Sequence, residues 1–343
     1  MTSPRQALTL AFLTTILISC SKNTSERVQT GKETRLDWLE NWFDAWELTS
    51  TEILGLPEQS PPIMFFYDKE YVYTTSSVSA PEGEPFDGPE YFSKKLPWRK
   101  EPHNDTLTIP NGQKIPIQHM TFAAPSESED APAFFVMAAP SFWQDIGLED
   151  EHVGLEKMLT GIFLHEFTHT TQIKEIGARI LAFERDHTFD FKVNDDIIQN
   201  YFINDSLYVK LFEEETALFY RAAESDDREE LIRLTKQGLK LLGDRQENHL
   251  RPVKDILVEM DNVFLSMEGL GQYVMVSWLA HPKGGKAPKD VAIQSARRNR
   301  KWWSQDEGLA LALVYEKLSG DPDWKAIIDE DPKELVLLIE AQL

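Results

Sequence analysis

The segment GIFLHEFTHTTQ, residues 161–172, places His165 and His169 one helical turn apart, with Glu166 directly after the first. Histidines at i and i+4 share a helix face, so both imidazoles can reach one metal ion, and zinc is the natural candidate for such ligands. The glutamate between them points to one side, where a carboxylate can take a proton from a metal-activated water. At 100° per residue, Leu155, Met158, Ile162, His165 and His169 fall within about 60° of one another. The histidines therefore continue an apolar stripe that other elements must cover. Two buried imidazoles need polar partners, which a shared metal supplies and which backbone or carboxylate groups would otherwise have to supply.

Two histidines do not complete a metal site. In ILVEMDNVFLSMEGLGQYVM the residues Leu257, Met260, Phe264, Glu268, Gly271 and Met275 share one helical face, and Glu268 is the only charge on it. A carboxylate on an apolar stripe must be paired, protonated or bound to a cation. Glu215, in LYVKLFEEETALFYRAA, is the rival. It shares a face with Leu207, Leu211, Leu218 and Phe219, while Glu213 faces the other way, toward solvent. Periodicity leaves both glutamates open.

HEFTH followed by MEGLGQY resembles the gluzincin metallopeptidases, whose third metal ligand often sits in a Glu-Gly-Leu-x-x-Tyr segment. AFFVMAAP ahead of the histidine helix is similar to the edge strand those enzymes lay along an extended substrate. DEGLALALVYEKLSGDPDW resembles the helix that follows the ligand helix. The likeness covers roughly 130–330 in the order of elements and is sharp only over the two motifs. It implies Glu268 as the third ligand, with zinc held by His165, His169 and Glu268. The spacing from 169 to 268 is longer than many gluzincins show and implies a helical insertion over about 175–255; otherwise Glu215 is the ligand. Whichever glutamate is left over is expected to accept a hydrogen bond from the distal nitrogen of a metal-binding histidine, as carboxylates around metal sites do.

The start of the chain, MTSPRQALTLAFLTTILISCSKNT, has Arg5 as a short positive region and an apolar stretch of about twelve residues, too short to span a bilayer. Its end, Leu17-Ile18-Ser19-Cys20, resembles the bacterial lipoprotein signal, and Cys20 is the only cysteine among 343 residues. The expectation is cleavage after residue 19, lipidation of Cys20 and a polar tether over 20–34. Membrane attachment is then through the N-terminal lipid alone, in the cell envelope, with Ser21 favouring the outer membrane by resemblance. The formal charge of −22 excludes a phosphate-binding surface, which needs clustered Lys and Arg, so no nucleic acid is expected. The one basic run, RRNRK at 297–301 before Trp302 and Trp303, reads as a solvated helix face.

RLDWLENWFDAWEL, residues 35–48, carries an aromatic stripe, Trp38, Leu39, Trp42, Phe43 and Trp46, expected to dock on the core. IMFFYD, YVYTTS and AFFVMA read as strands, DTLTIPNGQKIPIQ as a hairpin around Asn111-Gly112, and proline-rich 77–105 as loop. From about 150 the chain reads as helices with breaks near 186–206, 243–247 and 281–289. Strands first and helices after imply an α+β fold. A mainly antiparallel sheet and the histidine helix fill 35–175, and a mostly helical part carrying the third ligand fills 176–343; the resemblance makes the whole zincin-like.

Three protein ligands leave a position for water, which is the arrangement of a catalytic zinc. The reading is a zinc metallopeptidase with Glu166 as general base and a peptide or protein as substrate. The second donor to the developing oxyanion stays open among Tyr273, Tyr315 and His281. The alternatives are a lipid-anchored binding protein and a degenerate peptidase scaffold.

Overall fold

The computed structural model describes residues 36–126, 131, 133–145, 147 and 149–343. The expectations about the signal, Cys20 and the tether lie outside the described residues. A mixed α+β chain results, with a sheet in its N-terminal part and helices after it.

The strands are β1 (Ile63–Tyr67), β2 (Tyr71–Thr74), β3 (Glu84–Pro85), β4 (Arg99–Pro102), β5 (Thr106–Thr108), β6 (Lys114–Pro116), β7 (Thr121–Pro125) and β8 (Ala133–Ala138). Six of them form one sheet in the order β3-β4-β2-β1-β8-β7, and β5 and β6 form the separate hairpin. Gly112, at φ 81°, supplies the left-handed residue its turn requires. All neighbours are antiparallel except β1 and β8. Because β8 lies between β1 and β7, it is no edge strand. The edge is β7, TFAAP, which alternation and β-branching do not reveal in the sequence. The stretch 77–105 likewise holds β3 and β4. There RKEP pairs with YVYT, and Lys100 sits over the Tyr71 ring at 3.8 Å.

The helices are α1 (Asp37–Leu48), α2 (Pro140–Gln144), α3 (Leu155–Gln172), α4 (Ala178–Asp186), α5 (Ile197–Phe202), α6 (Ser206–Glu224), α7 (Arg228–Arg245), α8 (Arg251–Val253), α9 (Ile256–Ala280), α10 (Lys289–Arg297), α11 (Trp303–Ser319) and α12 (Leu335–Glu340). No break falls at 243–247. A π-turn over Gln246–Leu250 carries α7 into α8, and the chain leaves helical geometry only at Lys254.

Register pairs Met64 with Phe135, Phe66 with Met137 and Ala123 with Phe135, so these side chains share one face of the sheet. Helices α1 and α3 cover that face. Phe135 meets Phe163 at 5.6 Å and Phe167 at 5.1 Å, and Trp42 stacks on Phe163 at 5.0 Å. The aromatic stripe of α1 thus docks on the histidine helix. Each such ring, fully buried, contributes about 1.5–3 kcal/mol. On its other side α3 packs against α9, so the helix is buried nearly all round rather than along one stripe.

Helix α9 runs between α3 and α11, and two glycines beside Glu268 let it do so. A Cβ at Gly269 would lie 2.6 Å from the Gly308 carbonyl oxygen of α11, and one at Gly271 would lie 2.9 Å from His165 Nδ1. Backbone therefore meets backbone on one side and an imidazole on the other, which fixes Glu268 at the crossing.

Candidate metal centre

Helix α3 presents Phe163 and Phe167 to the sheet and its two histidines to α9, where Glu268 meets them. His165 Nε2 stands 3.1 Å from Glu268 Oε2, His169 Nε2 stands 3.4 Å from Glu268 Oε1, and the two Nε2 atoms are 3.2 Å apart. All three residues are buried and form a group that can hold a metal ion. Ligands about 2.0–2.1 Å from a tetrahedral ion lie about 3.3–3.4 Å from one another. The observed separations match that edge length within a few tenths of an ångström.

The protonation states also suit a cation. Burial pushes His165 down to about 4, against the opposing pull of Glu268, so its ring is neutral at pH 7. Burial would raise the Glu268 carboxyl, but His169, His165 and Gln305 together hold it below its ordinary value, so it stays ionised. His169 Nδ1–H donates to Gln172 Oε1 at 2.8 Å, leaving the Nε2 lone pair toward the site. Glu268 Oε2 and His165 Nδ1 are buried without a hydrogen-bond partner among the described residues. A metal answers the carboxylate's deficit. Gln272 Nε2 donates to Gln305 Oε1 at 2.7 Å, which steadies the amide against Glu268. Neither glutamine carries a sequence signal.

Glu166 is buried and lines a small cavity of about 10 Å³ with His169 and Glu268. Ala123 of the edge strand, Met267 and Ile173 wall it, and the small Ala123 leaves room under α3. Asp195, from the segment between α4 and α5, closes it. Burial raises this carboxyl well above its ordinary value, and Glu268, Asp196 and Glu166 add to the effect.

The structure separates Glu215 from this centre. Helix α6 buries Tyr208, Phe212, Glu215 and Phe219 and leaves Leu207 exposed, so its buried face is rotated from the Leu207–Leu211–Leu218 stripe. Glu213 is exposed, as expected. Glu215 reaches neither His165 nor His169; it pairs with the buried guanidinium of Arg245. Arg245 also reaches Tyr208, Glu307 at 3.1 Å and Asp261 at 3.3 Å. Burial lifts Glu215 to about 7, with Arg245 opposing, and lifts Glu307 well above its ordinary value.

The three residues considered for the oxyanion are engaged elsewhere. Tyr273 donates to Glu316 at 2.7 Å, the Tyr315 hydroxyl accepts from the Asp323 amide at 3.2 Å, and His281 caps the end of α9 by accepting from the Lys283 amide. The basic run 297–301 is not a solvated helix face. Helix α10 ends at Arg297, which pairs with buried Asp306 at 2.6 Å and lies over Tyr220. Arg298, the left-handed residue that ends α10, lines a separate cleft with Met158 and Ile162, and burial holds its guanidinium below its ordinary value against the pull of Glu166, Asp150 and Glu268.

No known family, no curated protein and no solved structure matches this chain.

Proposed function

We propose that the chain is a zinc-dependent peptidase, carried on the cell envelope by lipid at Cys20. The observation that carries the activity is the convergence of two neutral imidazoles and an ionised glutamate at tetrahedral-edge distances, with a buried glutamate beside them. His165, His169 and Glu268 hold the ion. Zinc supplies, when bound, a water of lowered pKa and polarisation of the scissile carbonyl.

Glu166 accepts the proton as the water oxygen bonds to the carbonyl carbon. It then delivers that proton to the leaving nitrogen as the carbon–nitrogen bond breaks. The edge strand β7 has one flank without a sheet partner among the described residues, and Ala123 on it lines the same cavity as Glu166. A peptide added along β7 would pass over the reacting centre. The gluzincin likeness of the two motifs supports the same reading.

The test is hydrolysis of a peptide library with and without chelator, with zinc content measured on each variant. Glu166→Gln is expected to keep one zinc per chain and lose nearly all turnover, whereas His165→Ala loses both. Wild-type turnover in Glu166→Gln rules the mechanism out. Fatty-acid labelling that is equal in wild type and Cys20→Ser rules out the anchor.

A further inference from the structure

A cleft of about 370 Å³ lies against the first turns of α3. It shares no lining residue with the cavity of about 10 Å³ beside Glu166, His169 and Glu268. Its volume is that of an ordinary small-ligand site. The floor is apolar, made by the buried Met158 and Ile162, and Trp302 forms a wall with Lys301 Nζ 4.3 Å from the centre of its ring. Arg298 and Asn299 complete that side. With Arg300 they form a run of three residues at φ 44°, 58° and 60°. Left-handed backbone is disfavoured for side chains with a Cβ and normally occurs as single residues. A run of three persists only where the surroundings over-determine it. Before the turn, Ser295 donates to Asp150 at 3.1 Å and Arg297 is clamped by Asp306. After it, Gln199 donates to the Lys301 carbonyl at 3.0 Å and accepts from the Trp303 amide at 3.1 Å. The wall of the cleft is therefore built in place.

The charges around the cleft are unequally engaged. Asp150 is occupied: its Oδ1 accepts from the His152 and Val153 amides, and its Oδ2 from Ser295. Arg298 is half-buried and has no hydrogen bond or ion pair among the described residues. Withdrawing a guanidinium from water without an anion beside it costs free energy. A carboxylate answers that cost with two parallel charge-assisted hydrogen bonds. A ligand that carried only an anion would also meet the exposed Glu149 and Glu151 on the rim, in a chain of formal charge −22. A ligand with a cation at its other end suits both sides.

We propose that this cleft is a binding site, separate from the metal centre, for a small zwitterion with an apolar side chain, an amino acid or a short peptide. The carboxylate pairs with Arg298, the side chain lies on Met158 and Ile162, and the ammonium group is turned to Glu149 and Glu151. The site needs neither the metal nor hydrolysis, so it stands or falls apart from the peptidase reading.

The experiment is calorimetric titration of the full-length chain carrying Glu166→Gln, which leaves the ligand uncut, with leucine and with leucyl-leucine. Saturable binding of either is expected, and which of the two binds more tightly tells amino acid from peptide. Adding Arg298→Ala should weaken it about 10–100-fold, as loss of a hydrogen-bonded charge pair does. The C-terminal amide of the better ligand should lose a similar factor, and should lose nothing further when Arg298→Ala is added. The N-acetyl form should lose only about 2–5-fold, because ion pairs exposed to water contribute little. If Arg298→Ala does not fold, Arg298→Asn, whose side chain suits left-handed backbone, carries the same measurements. Chelator should leave all of these affinities unchanged. Absence of binding of both ligands at millimolar concentration overturns the proposal. So does equal affinity with and without Arg298, and so does binding that disappears with the metal, which would belong to the metal centre.

Discussion

Glu268 and Glu215 both leave helices for the protein interior, and the company each keeps there differs. Glu215 meets Arg245, a cation built into the chain, inside a cluster that also holds Asp261 and Glu307. Glu268 meets two imidazoles, of which His165 is held neutral by burial. Stranding a carboxylate in a protein interior costs several kcal/mol unless it is paired or protonated. The first region meets that cost with the Arg245 guanidinium and with raised carboxyl pKa values that let protons offset the surplus acid, although Glu215 Oε2 and Glu307 Oε1 have no hydrogen-bond partner among the described residues. The second has its donor atoms assembled and its charge unbalanced, so it could hold a divalent cation. A buried acid therefore signals a metal site only when the opposing groups lack charge of their own.

The largest effect that separates the two regions is metal binding. Glu268→Ala is expected to abolish tight zinc binding while the fold survives, since the imidazoles can remain neutral. Arg245→Met should keep stoichiometric zinc but lose about 3–5 kcal/mol of stability, the cost of stripping the partner from buried charges. Zinc competition titrations and denaturant melts on the two variants read both quantities. Zinc loss in Arg245→Met with stability intact would erase the distinction.

Acid and alkali should also act on the two regions in opposite directions. Glu215 is raised from 4.5 to about 7 by burial, so the folded state binds the extra proton. Its contribution is complete below pH 4.5 and is lost as pH rises through about 7. His165 is lowered from 6.5 to about 4, so the folded state binds fewer protons there. That contribution is complete above pH 6.5 and is lost as pH falls through about 4. Between pH 4.5 and 6.5 the two windows overlap with opposite signs, so their slopes oppose each other in the chelated protein. Glu215→Gln should uncover the His165 contribution, with melting temperature rising from about pH 4 to 6.5, and an unchanged pH profile in that variant would contradict the assignment.

The two regions were unequally legible in the sequence. His165 and His169 could be read because they lie on a long helix whose period names the buried face; Glu166 followed from its place between them, and Glu268 was preferred to Glu215 only through the resemblance, since periodicity left both open. Arg245 could not, because its partners come from α6, α9 and α11 and no local pattern joins them. The segment around it looked like a break, whereas the buried guanidinium sits where α7 passes directly into a π-turn. The run 297–301 misled in the same way. Counting charges makes Arg297 solvated, and only the fold brings Asp306 and Tyr220 to it. Strands β4 and β7 were hidden by proline and alanine, which pairing with YVYT and AFFVMA overrides.

The smallest effect tests how tightly the metal region is built. Gly271 is helical and needs no unusual backbone, so alanine there should favour the helix by roughly 1 kcal/mol if space were the only question. Space is the question, because the added Cβ would lie 2.9 Å from His165 Nδ1 and 3.0 Å from Cε1. The ring cannot slide along α3, and its Nε2 is held between Glu268 and His169. It must tilt, which moves a metal-binding nitrogen by a few tenths of an ångström. Gly271→Ala should therefore bind zinc more weakly, by about the 10–100-fold seen when the support of a ligand is disturbed. Its metal-free melting temperature should change little. A control at Gly243, where an added Cβ meets nothing within 4 Å, should leave zinc affinity unchanged. Equal zinc affinity for Gly271→Ala and wild type would mean that α9 and α3 can part at this crossing, and that His165 is less firmly placed than its contacts imply.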